Sequence, residues 1–382
     1  MTRRRLLYAC AASAIALTLS CATLELAVRA WMPELPFAEP AHDVLFLMPD
    51  PAVGWKHPES FTFNWNGRNP YCIEFRVQIT TNTFGFRDRE WSIEKPPGTT
   101  RIAILGDSFI EALQVPLDLT ATRLVAGQLA ARVRNTRVET MNFGVSNYGV
   151  GQYLMLYEHY VRRFRPDYVV VFASYLNFTR TTQRELTSRL QEFYALHVRP
   201  SYALDERRNL EYVPARDYDA YRRGVASLLE SHFDANRTRV IPPIQSPLAL
   251  PHGVLHLLSR KARPAPTPHQ RTTMAFPDVD LNYRILETLH ERVGSDGATL
   301  VFADAFEYLE RYGVVRGSGA LAARNRALME RLGAGYVDLS PALRAAPGNP
   351  QFECDMHFNE TGNRIVADAL ARWFERVLQA ES

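Results

Sequence analysis

Cysteine is scarce in this chain: four in 382 residues, at positions 10, 21, 72 and 354. So few exclude a small disulfide scaffold. An excess of charge of either sign is also missing. The formal net charge is +3 and, outside Arg3–Arg5, the arginines are scattered, so nothing points to a nucleic-acid partner. No zinc-ligand spacing and no phosphate-cradling glycine loop is present, so neither metal nor cofactor is expected. There is no internal repeat. What the chain does have is 46% hydrophobic against 22% charged residues, the composition of a folded protein with a large core.

One apolar run stands apart. Arg3, Arg4 and Arg5 precede Leu6 to Leu24, and no further charge appears before Glu25. As a helix this run covers ~28 Å, close to the roughly 30 Å of a bilayer core. Positive residues on its leading side predict Arg3–Arg5 in the cytoplasm and the rest exported. An uncleaved signal anchor over residues 1–30 is the first reading. A cleaved signal peptide with secretion, processing at Cys21 and a buried core helix are the alternatives. Thr18 stands where lipoprotein signals usually carry an aliphatic residue. On the exported side Cys72 and Cys354 either pair or remain separate buried thiols.

Residues 31–98 read as an irregular stalk followed by a lead-in strand. Pro33, Pro36, Pro40, Pro49, Pro51 and Pro58 disfavour long regular elements. Ile73 to Thr81 alternates as a strand, and Thr81 to Arg87 turns. From residue 99 to the end the pattern becomes strand–helix–strand. Arg101–Leu105, Arg137–Asn142, Tyr168–Ala173, Thr299–Ala303 and Gly335–Leu339 are candidate strands. Leu119–Arg134, Gln152–Phe164, Asp280–Val293, Gly319–Leu332 and Glu360–Leu378 are candidate helices. This alternation predicts an α/β three-layer sandwich around a five-stranded parallel sheet. Residues 178–277 break the rhythm and read as an insertion after the third strand, with helices expected at Leu186–Leu196 and Tyr221–Phe233. Such an insertion would form a lid or substrate wall.

The first of these strands runs into Gly106-Asp107-Ser108. A serine at the carboxyl end of a buried parallel strand sits where α/β sheets do their chemistry. Gly106 permits a tight turn and Ser108 becomes a candidate nucleophile; the plain alternative is a turn with Asp107 and Ser108 as helix cap. A nucleophile needs a base and an orienting carboxylate. His357 lies just before the last helix with Asp355 two residues earlier, and in an extended loop those two side chains share a side. Oxyanion donors are offered by the turn Asn142 to Gly149, which includes Gly144, and by the amide of Asn177 after the third strand. All of these fall at carboxyl edges of one sheet.

In that order the residues resemble the four sequence blocks of the SGNH (GDSL-like) hydrolase superfamily: Gly106-Asp107-Ser108-Phe109, Asn142 to Asn147, the segment ending at Asn177, and Asp355-Met356-His357. Asn82, Gly85, Phe86 and Arg87 are similar to the lead-in of membrane-anchored bacterial members. The resemblance implies a flavodoxin-like sheet, Ser108 as nucleophile, His357 as base and Asp355 as its orienting acid. It also implies Ser108, Asn147 and Asn177 as oxyanion donors, with Asp107, Gly106 and Gly144 in support. The chain departs from the family pattern at three places. Asn147 replaces the donor glycine, Leu176 and Phe178 flank Asn177, and acid and base are spaced Asp-x-His as in related polysaccharide O-acetyltransferases. Asparagine tolerates the left-handed conformation, so the Asn147 N–H keeps its access to a ligand.

The expected activity is an exported serine esterase, anchored in the inner membrane of a bacterial envelope with its domain in the periplasm. It would act through an acyl-enzyme on Ser108, with O-acylated envelope glycans as the implied substrate. The alternatives are an O-acyltransferase to polysaccharide and a non-catalytic glycan-binding protein on the same fold. No protein partner is implied.

Overall fold

The computed structural model describes residues 3–31, 47–66, 74–133, 137–190, 193–232, 277–310 and 318–380. The first helix, α1 (Arg3–Trp31), contains an exposed stretch, Ala11–Val28, long and apolar enough to cross a membrane. It is compatible with a signal anchor or a signal peptide.

The lead-in carries four short strands: β1 (Met48–Asp50), β2 (Gly54–Lys56), β3 (Thr62–Asn66) and β4 (Arg76–Thr80). β1 pairs with β2 and β3 with β4, both antiparallel. The prolines keep these strands short, yet the segment is no loose tether. Val53, Trp55, Phe63 and Ile79 are buried in the same core as the main sheet. In β4 the alternation expected of a strand is realised, with Val77 and Ile79 inward and their neighbours outward. The expected start of this strand, Ile73, lies outside the described residues.

From β5 (Thr99–Gly106) the chain runs through α2 (Ser108–Glu111), α3 (Ala121–Arg132), β6 (Arg137–Gly144) and α4 (Val150–Leu156) to β7 (Tyr168–Ala173) and α5 (Tyr175–Arg180). Then come β8 (Glu185–Leu190), β9 (Phe193–Val198), β10 (Ser201–Leu204), β11 (Leu210–Val213) and α6 (Tyr218–His232). The last section is α7 (Val279–Ser295), β12 (Thr299–Asp304), α8 (Phe306–Glu310), α9 (Ser318–Leu332), β13 (Gly335–Asp338), α10 (Ser340–Arg344) and α11 (Glu360–Ala380).

Five strands form one parallel sheet in the order β6-β5-β7-β12-β13. This is the flavodoxin-like order, and its switch point lies between β5 and β7, where ligands bind at the carboxyl edge. The strands read as continuous apolar runs because both faces are covered. Ile102, Ile104, Val170 and Phe172 pack under Val125 and Leu129 of α3 and Val366, Leu370 and Phe374 of α11. Ala103, Leu105, Val169, Val171 and Phe302 pack against α4, α7 and α9 through Leu154, Ile285, Leu289 and Met329. Each such side chain larger than Ala103 stabilises the fold by about 1.5–3 kcal/mol relative to exposure.

The insertion departs from expectation at one place. Leu186–Leu196 is not a helix but the hairpin β8–β9, paired from Glu185↔Val198 to Leu190↔Phe193. A short apolar run does not distinguish helix from strand, and Phe193, Tyr194 and Val198 favour the extended form. The second expected helix is found as α6, with Phe233 outside the described residues. The insertion rests on the lead-in, where the His197 and Trp55 rings lie 5.7 Å apart.

Candidate active site

Gly106 ends β5 where the chain folds tightly onto its own next turn. A Cβ there would lie 2.3 Å from Ile110 Cγ1. Asp107 then caps α2, its carboxylate accepting the Phe109 N–H at 3.0 Å. The capping role and a part in the site are therefore both realised. The other carboxylate oxygen of Asp107 receives Arg180 Nη1 at 2.7 Å and Asn177 Nδ2 at 3.0 Å.

Ser108 comes next and is partly exposed. His357 Nε2 stands 2.8 Å from Ser108 Oγ, and His357 Nδ1 stands 2.5 Å from Asp355 Oδ1. An ionised carboxylate only accepts, so Nδ1 carries the ring proton and donates it to Asp355. Nε2 is thereby left as acceptor for the serine hydroxyl. Met356, between acid and base, has φ +70°. That left-handed residue turns the loop so that its neighbours meet, whereas an extended loop was expected. Phe109 packs its ring 5.1 Å from the imidazole.

The turn after β6 is drawn against the serine. Val145 N–H donates to the Gly106 carbonyl at 3.2 Å, and Gly144 N–H to Asn142 Oδ1 at 2.9 Å. A Cβ on Gly144 would lie 2.2 Å from the Glu111 nitrogen, so only glycine fits. Asn147 has φ +64°, the left-handed conformation anticipated for it. Among the described residues neither the Ser108 nor the Asn147 N–H donates a hydrogen bond.

Asn177 lies inside the site. It is 0% exposed, and its Nδ2 is shared among Asp107 Oδ2 (3.0 Å), the Tyr148 carbonyl (3.0 Å) and Tyr153 Oη (2.8 Å). The amide has two hydrogens, both committed within the protein. As placed, Asn177 braces Asp107 against the turn after β6 with no N–H free.

Several site residues carry no motif. Glu111 is buried and receives the Ser146 N–H at 2.9 Å and the Ser146 hydroxyl, and its Oε1 lies 2.7 Å from His57 Nε2. Burial alone would raise its carboxyl; His57 and Ser146 outweigh that and hold it below the ordinary carboxylate value. Arg87, also buried, donates to the carbonyls of Glu111, Ala112 and Val115 and so closes the end of α2. Burial lowers its guanidinium to about 10, opposed by Glu111 and Asp88. Glu74 accepts the N–H groups of Glu353 (2.7 Å), Cys354 (2.8 Å) and Asp355 (3.2 Å). Cys354 is disulfide-bonded, so the alternative of a separate thiol does not hold for it; Cys72 lies outside the described residues. Arg87 had a local signal, the turn that precedes it, while Glu74 and Glu111 had none.

The arrangement allows a histidine to take a hydroxyl proton as the oxygen attacks a carbon. No cluster suited to a metal ion occurs among the described residues.

No protein-family profile matches the sequence, and no curated protein is similar to it. Solved structures are. An acetylxylan esterase from Geobacillus stearothermophilus is 13% identical, with 72% of this chain and 93% of that chain covered at a TM-score of 0.40. A lipase/acylhydrolase from Enterococcus faecalis is 14% identical, covering 73% and 96% at 0.40. A protein of the G-D-S-L family from Desulfitobacterium hafniense DCB-2 is 8% identical, covering 72% and 99% at 0.39. The proteins this chain is similar to in structure are thus described as an ester-cleaving enzyme, an acylhydrolase and a member of the G-D-S-L family.

Proposed function

We propose that this chain is a serine esterase of the SGNH type. The observation that carries the reading is the relay from Asp355 through His357 to Ser108, with contacts of 2.5 Å and 2.8 Å. His357 takes the Ser108 proton as Oγ attacks an ester carbonyl. The imidazolium, held by Asp355, returns it to the departing alcohol. The tetrahedral oxyanion is met by the N–H groups of Ser108 and Asn147, each worth roughly 3 kcal/mol to the transition state. Asn177 is the third donor in this reading, and it reaches the oxyanion by releasing one of its present acceptors. Water then hydrolyses the acyl-enzyme.

The substrate class we infer is an O-acyl ester on a cell-envelope glycan. Support comes from the resemblance of the motif blocks and from an apolar α1 with arginines on its leading side. The same reading puts the catalytic domain in the periplasm, anchored by α1.

The test is a fluorophosphonate probe on the full-length protein in mild detergent, followed by acetate release from O-acetylated glycans. Labelling at Ser108 that is lost in Ser108→Ala, with steady acetate release in water, is the expected result. An acyl-enzyme that persists until a glycan acceptor is added would assign a transferase instead. Absence of labelling on folded protein would assign a binding role.

A further inference from the structure

Arg199 lies in the insertion, directly after β9, and is 4% exposed. Its guanidinium reaches back to the turn after β6. Nη1 donates to the Asn147 carbonyl at 3.0 Å and to Gln152 Oε1 at 2.5 Å. Nε donates to the Gln183 carbonyl at 2.6 Å, and Nη2 to the carbonyl of Arg180. Its face lies 5.2 Å from the Trp55 ring. Among the described residues every partner of this buried cation is neutral. Arg180, whose charge acts on it, is also positive and already bound to Asp107.

A buried cation without a carboxylate is costly to keep. A surface role does not account for it, because the N–H groups of its guanidinium fork reach four carbonyl and amide oxygens together. Its placement does. One branch of the fork pins the C=O of Asn147, the residue held left-handed, and the same branch pins Gln152. Gln152 Oε1 in turn accepts the Gly149 N–H at 2.9 Å, at the start of α4. The Asn147 carbonyl and, through Gln152, the Gly149 N–H at the start of α4 are therefore tied to one guanidinium. A positive charge in that low-dielectric position also favours any negative charge that forms beside the turn.

We propose that Arg199 is a positioning residue for the oxyanion site: the insertion supplies the group that fixes the Asn147 turn and biases it toward negative charge. The inference rests on the esterase reading above. It makes the insertion part of the catalytic apparatus, in addition to any wall it forms for the substrate.

The experiment uses full-length protein in mild detergent, with p-nitrophenyl acetate as substrate and a trifluoromethyl ketone as a mimic of the tetrahedral state. Arg199→Met is expected to lower kcat by about a hundredfold, the size of losing one oxyanion donor. KM should stay within about twofold, and affinity for the ketone should fall in parallel with kcat. Arg199→Lys keeps the charge and loses the fork, so it should recover part of the kcat. If Arg199→Met does not fold, the lysine variant decides, with an expected loss of about tenfold in kcat and none in KM. Wild-type kcat and ketone affinity in the folded variants would overturn the proposal, as would a loss confined to KM. A wild-type protein that neither turns over ester nor labels at Ser108 would remove the esterase reading and the proposal with it. An active wild type beside an unaffected variant removes the proposal alone.

Discussion

Glu74 accepts the N–H of Asp355 across 281 residues of chain, at 3.2 Å, while its carboxylate also holds the N–H groups of Glu353 and Cys354. Three consecutive donors on one carboxylate fix the loop that carries acid and base. Glu74→Ala should lower kcat about ten- to a hundredfold through misplaced geometry. Because the site is partly open to solvent, the stability cost should be only about 1–2 kcal/mol. Glu74→Gln, which keeps an acceptor oxygen, should fall between. Thermal melting and steady-state kinetics on the same preparations check this, and unchanged kinetics in Glu74→Ala would show that the loop holds itself.

Removal of the relay should be graded by role. Ser108→Ala and His357→Ala should each lower kcat by about 10⁴-fold or more, with melting temperatures near that of the wild type. Asp355→Asn leaves the hydrogen-bonding shape but lets the imidazole take the wrong tautomer, and about 10⁴-fold should again be lost. The double variant Ser108→Ala/His357→Ala should be no worse than either alone. Additive losses would mean that the two residues do not act in one step.

Asn147 offers a test of which of its atoms matter. With φ +64°, Asn147→Gly should be neutral or more stable by up to about 1 kcal/mol, and kcat should be retained because the N–H is retained. Asn147→Val, a branched residue forced into the left-handed region, should cost about 1–2 kcal/mol and lower kcat. A glycine variant that loses more than tenfold would implicate the asparagine side chain instead.

Asp88 gives a pH signature. Burial pushes its carboxyl from 3.8 up to about 6, against the N–H groups of Asn142 and Arg89, the Arg123 charge and the Trp91 indole. Between these values the folded protein keeps a proton that the unfolded chain has lost. The contribution of Asp88 to stability is therefore present at low pH and declines as pH rises toward 6. Asp88→Asn does not titrate, so the stability gap between wild type and variant should shrink across that window. The change is at most about 1.4 kcal/mol per pH unit. Denaturant titrations at pH 4, 5, 6 and 7 measure it, and a gap that widens with pH would contradict the assignment.

The sheet was legible because its strands are short β-branched or aromatic runs bounded by turn residues. Tyr168–Ala173 agrees to the residue, and Thr299–Asp304 to one. Ser108, Asp355 and His357 were legible because each stands at the end of a strand or just before a helix, in a local pattern. Glu74, His57, Glu111 and Arg199 were not. Their partners are backbone groups or side chains brought near by tertiary packing, and no residue type nearby marks them. Leu186–Leu196 failed for the opposite reason: its local signal fits two periods, and pairing with a neighbouring strand decided between them.

The lead-in segment has a consequence for how the site can be switched. His57 stands against Glu111 behind the turn after β6, Arg87 closes the end of α2 and Glu74 fixes the loop of Asp355 and His357. Every residue of the four catalytic blocks is downstream of all three. A protease that cut the chain after Arg87 and before β5 would leave the four catalytic blocks intact in sequence and sever all three braces from the chain that carries Ser108. Such a cut should lower activity without altering any residue of those blocks, whereas a cut between α1 and β1 keeps all three braces in the chain.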